Sequence, residues 1–411
     1  MVKLLGQASL NANAFGLSCH LQRLACSRPV ADTVGNNRGV TGMTTTTLAA
    51  VLRTRGGSYR LEQVELADPG PGQVLVKIAA CGICFTDIGV QRYEQGTPLP
   101  HVLGHEGAGT VVKVGAGVTN VAPGDRVVLS YASCGACANC THDHPQYCAS
   151  FMPLNYGGVL SDGSVPMRGH GEEEAIFGGF FGQSSFATHA IAYARNTVKV
   201  GSELPFALLA PFGCGLQTGA GTAYNTLDVK AHHAFAVMGA GSVGLAALLA
   251  AVDRGCRTII AVDRVPERLE MARRLGATHT LLADGRDLVA VLRGIEAGGL
   301  DRIVDTTGVS AVIRAGLESL ASRGQLAMLA VTAPGTEITF NPNTLLGGRA
   351  LKGAVEGDAD PQAFIPWLIG RHLTGRFDHA PLITEYPFSA INEAVADMAA
   401  GRVVKPVLVM D

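Results

Sequence analysis

The sequence predicts an α/β fold in which a doubly wound parallel sheet is inserted into a β-rich domain. Three observations predict it. From residue 46 onward, the Val- and Ile-rich runs Ala49–Leu52, Val74–Ala79 and Gly107–Val114 are punctuated by Pro and Gly, as in Pro69-Gly70-Pro71-Gly72 and Pro123-Gly124-Asp125. Short apolar runs bounded by turn residues read as strands. From residue 218 to 353 the pattern changes: the runs Ala234–Met238, Thr258–Val262, Arg302–Asp305 and Gln325–Ala330 alternate with helical stretches. That alternation is the mark of βαβ units and a parallel sheet. The chain then ends on Lys405–Met410, another apolar run, expected to return to the first domain. The expected division is therefore 43–217 and 354–411 for the β-rich domain and 218–353 for the insertion.

The totals agree with that division. A chain of 411 residues suits two domains of roughly 100–200 residues each. With 47% hydrophobic and 16% charged residues it can bury sizeable cores and is not a disordered composition. A formal net charge of -2 leaves no electrostatic footprint for nucleic acid or an anionic membrane. No apolar run reaches the ~18–20 residues needed to span a bilayer. Residues 1–42 lack clear periodicity and carry several Arg and one acid, Asp32. They read as an unstructured extension or an upstream start, the alternative being an organelle-targeting peptide. Four of the ten cysteines crowd into Cys134–Cys148. In a large chain without a secretory signal, such a cluster points to metal binding in a reducing cytoplasm rather than to disulfides.

The inserted domain carries a dinucleotide motif. Ala234–Met238 leads into Gly239-Ala240-Gly241-Ser242-Val243-Gly244 and a helical run, Leu245–Ala251. Strand, G-x-G-x-x-G and helix in that order form a Rossmann-type coenzyme site. The first Gly permits the tight turn, the second lets backbone approach a pyrophosphate, and the third lets helix pack on strand. Asp263 ends the next strand, close to the ~20 residues onward where an acid hydrogen-bonds the ribose 2′-hydroxyl of NAD and repels the 2′-phosphate of NADP. Arg264 beside it softens that discrimination. Arg268, on the helix that follows, is a further coenzyme candidate.

Two metal constellations are visible. Cys134-x-x-Cys137-x-x-Cys140-x7-Cys148 offers four thiolates from one short loop. Four soft ligands close a tetrahedron and leave no open position, which makes a structural Zn²⁺ site. The second set is dispersed: Cys84 in Cys81-Gly82-Ile83-Cys84-Phe85-Thr86-Asp87, His105 in Gly104-His105-Glu106-Gly107, and Cys214 in Gly213-Cys214-Gly215. Spacing alone does not join these three, and each taken singly is more often a buried cysteine or a core histidine.

The order of these motifs resembles the zinc-containing medium-chain alcohol dehydrogenases, over roughly residues 47–411. The resemblance implies a GroES-like catalytic domain with an inserted Rossmann coenzyme domain and the active site in the cleft between them. It implies that Cys84, His105 and Cys214 hold a catalytic Zn²⁺, with one position left open for chemistry, and that Glu106 lies behind the metal as an alternate ligand. Asp87 is expected to orient His105, and Thr86 to accept the alcohol proton. Many relatives have a histidine three residues after Thr86; here that position is Gly89. Thr218 and Phe85 are expected to face the coenzyme. Phe85 stands where many relatives place Arg or His on the pyrophosphate, so Lys405 is the alternative cover for the phosphates. Two zincs and one NAD per chain, a small alcohol or aldehyde substrate, and a homodimer or homotetramer follow from the same resemblance.

Within the family, Leu129–Cys134, Phe180–Thr188 and Pro211–Gly221 are similar to the aryl-alcohol (benzyl-alcohol) dehydrogenases. Phe180 and Phe181, with Ser130 or Tyr131, are the expected pocket wall for a flat ring. The rival readings are a glutathione-dependent formaldehyde dehydrogenase, another allylic (terpenoid or cinnamyl) alcohol dehydrogenase, and a non-catalytic NAD-binding zinc protein.

Overall fold

A computed structural model describes residues 44–410, apart from 94–95, 172–173, 202 and 333–334. The expected extension, residues 1–42, lies outside the described residues.

Three sheets organise the described chain. In spatial order, the first contains β4 (His101–Val102), β1 (Thr45–Leu52), β2 (Tyr59–Leu66), β7 (Met167–Gly169) and β8 (Ala175–Ile176). The second runs β10 (Thr197–Lys199), β6 (Arg126–Leu129), β5 (Glu106–Val114), β3 (Gln73–Gly82), β18 (Lys405–Val409) and β17 (Ile383–Pro387), with β9 (His189–Tyr193) also paired to β3. The third runs β13 (His279–Leu282), β12 (Thr258–Asp263), β11 (Ala234–Met238), β14 (Leu300–Asp305), β15 (Leu320–Met328) and β16 (Ala350–Gly353), all parallel. Its order reverses between β11 and β14, the topological switch point at which doubly wound sheets bind ligands beyond the strand carboxyl ends. After β16 the chain rejoins the second sheet, where β18 pairs antiparallel with β3.

The apolar pattern explains the layers. β11 is buried at every position. Phe235 and Val237 enter one core, with Leu245 and Leu248 of the helix Ser242–Asp253, while Ala234, Ala236 and Met238 enter another, with Ile303 and Leu317. A strand covered on both faces needs a continuous apolar run rather than an alternating one. The first of these cores continues through Phe212 and Leu216 to Ala80, Val128 and Val407 of the second sheet, so packed side chains join the two.

Two expectations shift. The helix Gly215–Gly221 runs straight through the expected boundary at Thr218. β15 starts at Leu320 and stops at Met328, earlier at both ends than the run 325–330; its pairing with β14 shifts register between Leu300 and Arg302, and Arg323 within it has φ 64°.

Candidate active site

Three turns deliver the cluster. β3 ends at Gly82, and Cys84 then caps the helix Phe85–Arg92. Asp87 of that helix turns back, its Oδ2 accepting from Cys84 N–H at 2.9 Å. Its Oδ1 accepts from Gly104 N–H at 3.1 Å and from His105 Nδ1 at 3.0 Å, in a fully buried pair. This bond places the imidazole proton on Nδ1 and leaves the Nε2 lone pair free. Nε2 is buried and has no hydrogen-bond partner among the described residues. Gly104 has φ +87°, and a Cβ there would stand 2.4 Å from Phe186 N, so only glycine lets the chain turn into His105. Cys214 enters from the opposite side as the cap of Gly215–Gly221. One donor atom from each of Cys84, His105, Glu106 and Cys214 lies within 4.8 Å of the others.

The electrostatics suit a cation. The bond from Cys214 draws the Cys84 thiol well below the ordinary thiol range, helped by His105 and Lys405 against burial. The same bond and burial push Cys214 up. Two sulfurs, an imidazole nitrogen with no other partner and a neighbouring carboxylate form a donor set that fits Zn²⁺.

Lys405 is a correction. It was the alternative cover for the coenzyme phosphates, but it is fully buried, its Nζ donating to both Glu106 oxygens at 2.8 Å and to Ile83 O at 3.0 Å. All three N–H groups are thereby committed. The buried Glu106 demands this, because an unpaired carboxylate in the interior is strongly destabilising. Burial still pushes Glu106 up, to about 7, against the Lys405 ammonium.

Ser130 is a second correction. It does not line an open pocket: its buried Oγ donates to Gly213 O at 2.7 Å and accepts from Gln217 Nε2 at 2.8 Å. Tyr131 is also buried, its hydroxyl donating to Ala359 O at 2.8 Å. Phe181 stacks on the His105 ring at 4.5 Å, and Phe180 meets that ring edge-on at 5.5 Å. Tyr156 and Phe151, from the helix Phe151–Tyr156, complete this aromatic cluster. Sequence reading missed both, since one short helix shows no usable period. Thr86 stands beside the cluster, with its Oγ1 3.7 Å from Cys84 Sγ.

The second candidate metal site is the loop lobe. Cys134, Cys137, Cys140 and Cys148 place their sulfurs within 4.8 Å of one another. The Cys137–Cys140 and Cys134–Cys140 separations are 3.5 and 3.9 Å. Two sulfurs sharing a zinc at about 2.3 Å lie roughly 3.8 Å apart, and a disulfide would need about 2 Å. Backbone N–H groups of Ala136 and Cys137 donate to Cys134 Sγ, and that of Ala149 to Cys137 Sγ. The Ala149 bond, with others, lowers Cys137 to about 6, whereas burial pushes Cys148 up to about 12.

The coenzyme candidates gather at the carboxyl end of β11. A Cβ on Gly244 would meet Gly239 O at 1.9 Å, so close helix-to-strand packing requires that glycine. Gly241 differs: its φ is -77° and a Cβ would meet nothing within 4 Å. Nothing in the chain itself demands glycine there, but a group lying on the helix N-terminus, formed by Ser242 and Val243, does. Asp263 accepts from Ala240 N–H at 2.7 Å and Val265 N–H at 2.9 Å. Arg268 lies 4.0 Å from Asp263, and its buried Nε has no partner among the described residues. Phe85 is half exposed at the start of its helix rather than packed inward. Thr218 donates to Glu356 Oε2 at 3.2 Å. Glu356 itself went unseen in the sequence, where it follows β16 with no motif around it.

Comparison with known proteins agrees with this architecture. Residues 70–202 match the alcohol dehydrogenase GroES-like domain, and residues 242–370 match the zinc-binding dehydrogenase domain. The chain is 44% identical to a geraniol dehydrogenase of Castellaniella defragrans over 368 residues, covering 88% of this chain and 97% of that protein. A crystal structure of an alcohol dehydrogenase zinc-binding domain protein from Burkholderia ambifaria superposes with a TM-score of 0.88 at 44% identity, over 90% of this chain and all of that one. Benzyl alcohol dehydrogenase from Acinetobacter calcoaceticus gives 0.86 at 40% identity, over 89% of this chain and 100% of its own. A fold of this topology, a thiol–imidazole–thiol cluster at its centre and relatives of this identity over nearly their whole length lead to one conclusion: the chain belongs to the zinc-dependent medium-chain alcohol dehydrogenases.

Proposed function

We propose that this enzyme interconverts primary alcohols and aldehydes whose carbinol carbon adjoins an unsaturated group, benzyl-type above all, with NAD as coenzyme and two zinc ions per chain. The observation that carries the reading is the convergence of Cys84, His105 and Cys214, with His105 Nε2 unpartnered, beneath an aromatic cluster of Phe180, Phe181, Phe151 and Tyr156. Relatives acting on geraniol and benzyl alcohol support the substrate class. The four free lobe cysteines support a reducing compartment, and the cytoplasm is the proposed location. A homodimer or homotetramer is proposed from family likeness alone.

Zinc on the cluster supplies Lewis acidity and the nicotinamide supplies the hydride acceptor. The chain supplies the rest. Asp87 holds His105 in one tautomer and so aims Nε2 at the metal position. Thr86 Oγ1, beside Cys84, takes the proton of the incoming alcohol. Gly89 carries no side chain to pass it on, so the residue three positions after Thr86 does not continue the relay. Phe180 and Phe181, both buried against His105, exclude water from its ring, and each aromatic contact made to a flat substrate ring would be worth about 0.5–1.5 kcal/mol.

A panel of benzyl, cinnamyl, geranyl and short aliphatic alcohols, assayed with NAD and NADP, tests this. Benzyl alcohol should exceed ethanol in kcat/KM by at least about 100-fold, the effect of two such contacts plus the buried ring area. A preference for S-(hydroxymethyl)glutathione, or no turnover of any alcohol, would overturn the proposal.

Asp263 gives a separate expectation. Its carboxylate ends β12 beside the glycine turn, where it repels a 2′-phosphate. Asp263→Ala should reduce the NAD-over-NADP ratio of kcat/KM by about 10-fold or more, since a hydrogen bond to a charged group contributes about 1.5–3 kcal/mol. Unmodified enzyme that already prefers NADP would contradict the role.

A further inference from the structure

Glu356 is a buried carboxylate that the steps above leave unused. It belongs to a short segment in which Glu356, Gly357 and Asp358 all have positive φ, at 50°, 69° and 50°. Left-handed backbone is unfavourable for residues bearing side chains, and it persists where surrounding structure over-determines it. Here that structure is visible. Asn225 Nδ2 donates to Gly357 O, Thr226 Oγ1 to Asp358 Oδ2, and Tyr131 hydroxyl to Ala359 O.

The result is a carboxylate directed at Cys214. Oε2 accepts from Gln217 Nε2 at 2.9 Å and from Thr218 Oγ1 at 3.2 Å. Oε1 faces Cys214 Sγ at 3.7 Å. No Lys, Arg or His among the described residues forms an ion pair with Glu356, although a buried charge needs compensation. A sulfur and an oxygen that share one zinc, at about 2.3 and about 2.1 Å, lie roughly 3.6 Å apart across a tetrahedral angle. Without metal the Cys214 thiol donates to that oxygen; held as a zinc thiolate it would have no proton to give, and the cation would then reconcile it with a carboxylate at this distance. The other nearby carboxylate is already engaged: both Glu106 oxygens accept from Lys405, and its Oε1 accepts also from Gly215 N–H.

We propose that Glu356 is a further protein donor to the catalytic metal, occupying through Oε1 the coordination position that the alcohol takes when it binds. Glu356 lies outside the set of four donors, on the Cys214 side, with Oε2 held by Gln217. The proposal rests on the zinc reading of the Cys84–His105–Cys214 cluster. It makes the substrate-free enzyme self-capped, with alcohol and carboxylate in competition.

The test uses the full chain with cobalt(II) replacing zinc, followed by its visible spectrum and by titration with imidazole, which binds open metal positions. Glu356→Gln should shift the visible spectrum, because water would replace the carboxylate oxygen as the fourth donor. It should also tighten imidazole binding at least about 10-fold, because a competing state is removed. Glu356→Asp, with an arm too short to reach, should move both readouts the same way. Unchanged spectrum and imidazole affinity in both variants would overturn the proposal. Faster metal loss with unchanged imidazole affinity would overturn it too, since Glu356 would then only support Cys214. Failure of the zinc reading itself looks different: Cys84→Ser would hold as much cobalt as the unmodified chain.

Discussion

Replacing Cys84 by serine is expected to lower kcat/KM for the best alcohol of the panel by about 1,000-fold or more, with Cys214→Ser behaving alike. A serine hydroxyl is a poor ligand near neutral pH, so the substitution removes Lewis acidity worth several kcal/mol, at about 1.4 kcal/mol per decade. The fold should survive. The frame around the cluster is built by other bonds: Asp87 with Gly104 N–H and His105, and Gln183 with His105 O, Ser130 O and Gly107 N–H. Kinetics run beside metal analysis and near-ultraviolet circular dichroism check this. A serine variant of intact fold that keeps near-normal turnover would remove the catalytic-metal assignment.

Cys134→Ser is expected to act on stability rather than on the chemical step. The lobe contains only the short helices Ala138–Thr141 and Pro145–Tyr147, and of its residues only Gln146 and Cys148 are buried. So little apolar burial cannot hold a loop of this length, and the metal has to. Tyr147 hydroxyl donates to Asp358, which Thr226 also holds, so a loosened lobe releases the segment that carries Glu356. Loss of one of four thiolates should cost about 3–5 kcal/mol, a fall in Tm of roughly 6–10 °C at about 2 °C per kcal/mol. Thermal unfolding with and without a chelator measures it. An unchanged Tm that a chelator does not move would show that the lobe holds no structural metal.

Much of the fold was legible because its signals are local. β11 and the helix Ser242–Asp253 announce themselves through a continuous apolar run, three glycines at fixed offsets and a second apolar run. The lobe cysteines are legible for the same reason: all four lie within one loop. The site was legible only in part. Lys405 was the alternative phosphate partner, offered in case Phe85 packs inward. Its real partner, Glu106, is 299 residues away in sequence. Ser130 was read as pocket lining, although its hydroxyl is spent on Gly213, 83 residues on.

By itself, the sequence determined the type and order of the elements, the parallel coenzyme sheet and the chemistry on offer at each turn. Periodicity and turn residues act over a few positions, and those are properties a chain carries in any context. The tertiary structure alone decided which buried polar groups face each other. It set Lys405 beneath Glu106, Gln217 between Ser130 and Glu356, and a carboxylate 3.7 Å from Cys214. The reason is physical: a buried charge or amide must find its partner within about 3 Å, and the nearest group in space is fixed by how sheets and helices pack, not by distance along the chain.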